Sequence, residues 1–74
     1  MKLPVVSGSE TVAALSKIGF RVDKQSGSHI LIRRMVSPHI RLSVPNHPEL
    51  AKGTLRALIR QAGLTIEEFN ELLK

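Results

Sequence analysis

Val12, Leu15 and Ile18 recur at the spacing of one helical face, and from Phe20 onward the period changes to strict alternation of apolar and polar residues. Ser7-Gly8-Ser9-Glu10, just ahead of the first run, has the form of a capping box: a hydroxyl at the N-cap and a carboxylate three residues on. The pattern predicts a helix over about residues 8–18, with Lys17 near the negative end of its dipole and Gly19 as a left-handed stop. Three strands follow. In the first, Phe20 and Val22 fall on one face and Arg21, Asp23 and Gln25 on the other, and Ser26-Gly27 makes the turn. In the second, Ile30 and Ile32 alternate with His29, Leu31 and Arg33, so isoleucines in the core require His29 and Arg33 to point away from it. The third carries Ile40, Leu42 and Val44 against Arg41 and Ser43, after a loop at Ser37-Pro38-His39, and Pro45 ends it.

Beyond Pro45-Asn46-His47-Pro48 the helical period returns. Lys52-Gly53-Thr54 opens a helix in which Leu55, Leu58, Ile59 and Ala62 follow the i, i+3, i+4, i+7 pattern, with Arg56 and Arg60 forming a basic ridge away from that stripe, and Gly63 ends it. Thr65 and Glu68 repeat the capping box, and Leu64 can staple onto Phe69 in a short third helix packed through Ile66, Phe69, Leu72 and Leu73. The expected class is α+β: one domain over residues 1–74, with a three-stranded antiparallel sheet whose apolar face meets helices. The other face carries Arg21, His29, Arg33, Arg41 and Ser43, and Leu31 is the apolar exception on it. There is no internal repeat or low-complexity segment.

Composition narrows the kind of core and the kind of partner. In 74 residues, 42% are hydrophobic but only 3% aromatic, so the interior is built from Leu, Ile, Val and Ala around Phe20 and Phe69. A chain this short buries only about 60% of the surface it exposes unfolded, so that core is thin. No cysteine is present, which excludes disulfide staples and thiolate metal sites and fits a reducing compartment. The run Met1-Lys2-Leu3-Pro4-Val5-Val6 is too short for a signal peptide, and no stretch approaches the ~20 apolar residues of a membrane span, so a cytoplasmic protein is expected.

The net charge of +5 is unevenly placed. Nine basic residues lie between Lys17 and Arg60 against two acids, Asp23 and Glu49, whereas the end of the chain has Glu67, Glu68 and Glu71 against Lys74. A basic middle suits a phosphate backbone, because neutralising phosphates releases condensed counterions. It equally describes a surface kept soluble by positive charge.

Within this setting Gly27-Ser28-His29 puts an imidazole at the start of a strand directly after a turn. Imidazole moves protons near neutral pH, and guanidinium and ammonium groups hold polyanions, so the pair of features points to RNA binding or RNA cleavage. His29 is the candidate catalytic residue; an ordinary polar residue after a turn is the plainer reading of it. Lys24, Ser28, Arg33, Arg41, His47, Lys52 and Thr54 are candidate RNA contacts. Arg33 and Arg34 are adjacent on a strand, so only one shares the His29 face, and Arg33 is that one. Ser28 and His29, as neighbours at a strand start, should face opposite ways, which argues against a Ser-His nucleophile pair. Lys52, Thr54 and the opening amides of the second helix make a phosphate cradle of a kind many helices share. His39 reads as a loop residue, and a zinc site from His29, His39 and His47 lacks helical ligand spacing. No metal or other cofactor is expected.

Read together, Gly19-Phe20, Gly27-Ser28-His29, Val44-Pro45 with His47, Gly53-Thr54-Leu55, Ala62-Gly63-Leu64 and Phe69 resemble, in order and spacing, the HicA-type mRNA interferase toxins of toxin–antitoxin modules. The resemblance covers nearly the whole chain. It implies a fold like the double-stranded RNA-binding domain, endonucleolytic cleavage of mRNA with His29 as the catalytic residue, and inhibition by a HicB-type antitoxin that covers the active site. Two other classes stay open on the residues alone: a non-catalytic double-stranded RNA-binding module, which needs only basic charge and shape, and a protein-interaction domain whose basic face meets an acidic partner.

Overall fold

A computed structural model describes residues 2–74; Met1, the first residue of the N-terminal run considered above, lies outside them. The element order is α1 (Gly8–Ser16), β1 (Phe20–Ser26), β2 (His29–Arg34), β3 (Arg41–Pro45), α2 (Lys52–Gln61) and α3 (Ile66–Leu72). The strands form one antiparallel sheet in the order β1-β2-β3. This is the expected α+β arrangement of a helix, three strands and a helix, with a short C-terminal helix added.

Both capping boxes form. Ser7 N donates to Glu10 Oε1 at 2.8 Å and Glu10 N to Ser7 Oγ at 3.0 Å; Thr65 N donates to Glu68 Oε1 at 2.8 Å and Glu68 N to Thr65 Oγ1 at 3.1 Å. The first helix is two residues shorter than expected at its C-terminal end, because residues 17–19 leave it through i→i+3 bonds such as Ile18 N to Leu15 O. The third strand opens at Arg41 rather than Ile40, although Ile40 still accepts from Arg34 N at 2.9 Å.

One apolar core joins the helices to the inner face of the sheet. Ala14 and Leu15 of α1, Phe20, Ile30, Ile32, Leu42 and Val44 of the sheet, Leu55, Leu58 and Ile59 of α2, and Phe69 of α3 are all buried in it. The helix α1 lies against β1 and β3, α2 lies against β3, and α3 packs on α1 and α2. The C-terminal helix thus closes the helical layer and does not lie on the sheet. Lys17 Nζ reaches the Lys74 carbonyl at 2.7 Å, tying the last residue back to α1.

Strict alternation fails in β1. Val22 pairs with Ile32 but the next pair is Lys24 with Leu31, so Asp23 is the extra residue of a β-bulge. Three expectations change with it. Gln25 moves to a position opposite Ile30, away from the Arg21 face; Lys24 moves onto that face; and Val22, expected in the core, is 54% exposed on an edge strand of which only Phe20 is buried.

Candidate active site

The register sets out the solvent face of the sheet as three rows. Arg21, Arg33 and Arg41 stand opposite one another across the three strands; Lys24, Leu31 and Ser43 form the next row; Ser26, His29 and Pro45 form the last. All of these except Pro45 are exposed. Like charges directly opposite in an antiparallel pair repel, so a full row of arginines is a destabilising arrangement that concentrates positive potential. One acid answers it: the bulge aims Asp23 at the row, where Oδ1 lies 3.6 Å from Arg33 Nε, both side chains being about half exposed.

His29 sits at the end of this surface because of the hairpin. Ser26 pairs with His29, leaving Gly27 and Ser28 as a two-residue turn, and Gly27 at φ 57° takes the left-handed conformation such a turn demands. Ser28 therefore belongs to the turn and not to the strand. Its hydroxyl does not face away from the imidazole, as alternation implied: Ser28 Oγ lies 3.5 Å from His29 Nδ1, at the outer limit of a hydrogen bond. That contact is made at Nδ1, and Nε2 is the nitrogen without a protein partner among the described residues.

His47 comes to the same end of the molecule. Pro45 is opposite His29, Asn46 N donates to Ser28 O at 2.6 Å, and His47 O accepts from Gly8 N at 2.9 Å. Leu50 N adds a bond to Val6 O at 2.8 Å, so the segment between β3 and α2 is laced to the residues that enter α1. Gly8 makes this possible, since a Cβ there would collide with the Pro45 carbonyl oxygen. The side chain of His47 is exposed.

The other candidates are dispersed. Arg33 and Arg41 lie in the arginine row and Lys24 one row from His29. Lys52 and Thr54 open α2, whose N-cap, Ala51, supplies no side-chain hydrogen bond to the first-turn amides; no hydrogen bond or ion pair among the described residues joins them to His29. His39 is at the opposite end of β2, and among the described residues no three His, Asp or Glu side chains gather as a metal site requires. Arg34, on the helix side as expected, donates Nε–H to Ile18 O at 2.9 Å and so secures the exit of α1. Sequence reasoning missed that anchor and the Asp23 counter-charge, because both arise from strand pairing.

An outward imidazole beside a hydroxyl, one row from an ammonium and two from three guanidiniums, can hold a polyanion and exchange a proton with it. A family comparison bears on the same residues: the family described as the HicA toxin of bacterial toxin–antitoxin systems matches residues 8–64, from the start of α1 past the end of α2. The chain belongs to the HicA toxin family. It is accordingly the toxin of a toxin–antitoxin pair and has an antitoxin as partner. No curated protein matches the chain significantly. No helix among the described residues is long and apolar enough to cross a membrane.

Proposed function

We propose that this HicA family toxin is an endoribonuclease that cleaves mRNA without a metal cofactor, with His29 as its proton-transfer group. The observation that carries the reading is the exposed His29 imidazole at the edge of the cationic sheet face.

In the reaction, a ribose 2′-oxygen attacks the adjacent phosphorus as the bond to the 5′-oxygen breaks. His29 takes the 2′-hydroxyl proton or supplies one to the departing 5′-oxygen, and the products are a 2′,3′-cyclic phosphate and a 5′-hydroxyl. A well-placed imidazole accelerates such a step by roughly 10²–10⁴-fold. Negative charge grows on the phosphorane in the transition state, and a fixed cation opposite it lowers the barrier. Lys24 and Arg33 both suit that role chemically, and the register favours Lys24. It faces Leu31, two residues from His29, whereas Arg33 is four residues away, about 13 Å along the strand. Ser28 orients the imidazole, His47 is the candidate for the second proton transfer, and Arg41, Lys52 and Thr54 hold more of the RNA backbone.

The antitoxin in this reading is of the HicB type and covers the basic face, and both proteins work in the cytoplasm, where mRNA is found. The test is His29→Ala in EDTA-containing buffer. Wild type should cut RNA to cyclic-phosphate ends, and the variant should lose cleavage while keeping its circular dichroism spectrum and its affinity for RNA. Intact RNA with wild type, alongside a salt-dependent gel shift, would make the chain a binding module instead.

A further inference from the structure

Where β2 leaves the sheet there is a second cationic feature, distinct from the His29 end. A cleft of about 280 Å³ is lined by Arg33, Arg34, Met35, His39 and Arg41. Arg33 and Arg41 stand opposite each other on the solvent face, while Arg34 comes from the helix side, so the cleft lies over the end of the sheet. Arg34 is held through its bond to Ile18 O, which fixes one wall. Met35 is 51% exposed, with its backbone N–H bonded to Gly19 O at 2.9 Å, so an apolar side chain is held open to solvent among cations.

We propose that this cleft binds one unstacked nucleotide of single-stranded RNA, a few nucleotides along the strand from the bond cleaved at His29. The proposal rests on the RNA-cleaving reading and names the strand form and a second point of contact that the reading leaves open. Cations alone would suit an acidic peptide equally well. The imidazole of His39, the guanidinium planes and the thioether of Met35 add what a nucleobase uses and a carboxylate does not: flat or polarisable surfaces on which an extruded base can lie. The volume sits at the lower limit of ligand pockets, enough for one small ligand and no more. A base in the cleft must be out of its stack, which single strands permit cheaply and an A-form duplex does not. From His29 to Arg33 is about 13 Å along β2, so a dinucleotide bound at His29 cannot reach the cleft and a longer strand can.

The full chain, carrying ¹³C-methyl methionine, tests this with oligouridylates of two to eight nucleotides. Its two methionines give two methyl resonances, and Met35→Leu assigns them. The Met35 methyl should stay fixed with the dinucleotide and shift with the longer strands, and affinity should rise in a step at the same length. His39→Ala should remove that step, weakening the longer strands roughly five- to tenfold while leaving the dinucleotide unaffected. A Met35 methyl that does not move while the His29 amide does, or a His39→Ala effect equal at all lengths, overturns the proposal. So does a shift produced by polyglutamate but not by RNA. Binding with the length step but no cleavage would leave the cleft in place and remove the endoribonuclease.

Discussion

The two faces of β2 differ in kind although their residues interleave. Ile30 and Ile32 are buried, Ile32 to 1% exposure, while His29, Leu31 and Arg33 between and beside them are exposed. In this six-residue strand one face carries packing and the other is left to the proposed chemistry, because a strand turns successive side chains to opposite sides. On the proposed reading, stability and function separate at single-residue resolution, and the solvent face is kept at some cost to the fold. Three arginines in one row repel, and no packing interaction requires them there.

The sharpest contrast sets His29→Ala against Ile32→Ala. The first should reduce cleavage by at least 10²-fold with little change in stability, since the side chain has one long contact to Ser28 and no part in the core. The second should do the reverse. Removing a fully buried isoleucine costs about 2–5 kcal/mol, which in a domain this small lowers the melting temperature by roughly 10 °C or more. At a temperature where Ile32→Ala is still folded, its cleavage rate should be near that of wild type. Thermal denaturation and single-turnover cleavage on both variants check the pair, and a His29→Ala protein that melts as early as Ile32→Ala would show the faces are not independent.

Gly8→Ala probes the junction at which the two roles meet. The added methyl has no room beside the Pro45 carbonyl, so backbone must shift, with a cost of about 1–3 kcal/mol typical of overpacking. Because Gly8 N also holds His47 O, the amides of residues 45–47 should change chemical shift before those of β1. Equal perturbation of all three strands would mean that the junction is not a local feature.

How much of this was legible in the sequence follows from how local each determinant is. The capping boxes of Ser7 with Glu10 and Thr65 with Glu68 were readable because all their atoms lie within four residues. The faces of β2 were readable because period 2 needs no knowledge of neighbours. The bulge at Asp23 was not, since it is a mismatch between β1 and β2 that neither strand shows alone, and it decides where Val22, Lys24 and Gln25 point. Val6 and Leu50 were likewise missed as core residues: each lies in an irregular segment without a period, and the bond from Leu50 N to Val6 O brings them inside together. The outward imidazole was foreseen, but the turn position of Ser28, which brings its hydroxyl to Nδ1, was not.

The smallest expected effect is the one that tests the solvent face most directly. Asp23 lies 3.6 Å from Arg33, and a half-exposed ion pair of this kind contributes under about 1 kcal/mol to the fold. Its larger consequence is for a polyanion: the carboxylate takes up part of the Arg33 charge that a phosphate would otherwise use, and repels the phosphate itself. Asp23→Asn keeps the shape of the bulge and removes the negative charge. Stability should hardly move, RNA affinity should rise a few-fold at low salt, and the dependence of log affinity on log salt should steepen by about 0.7, the increment for one more neutralised phosphate on a single strand. Fluorescence anisotropy across a salt series reads all of this. If the slope stays the same while Arg33→Gln also leaves it the same, phosphates do not pass over the arginine row, and the charge on this face serves some partner other than RNA.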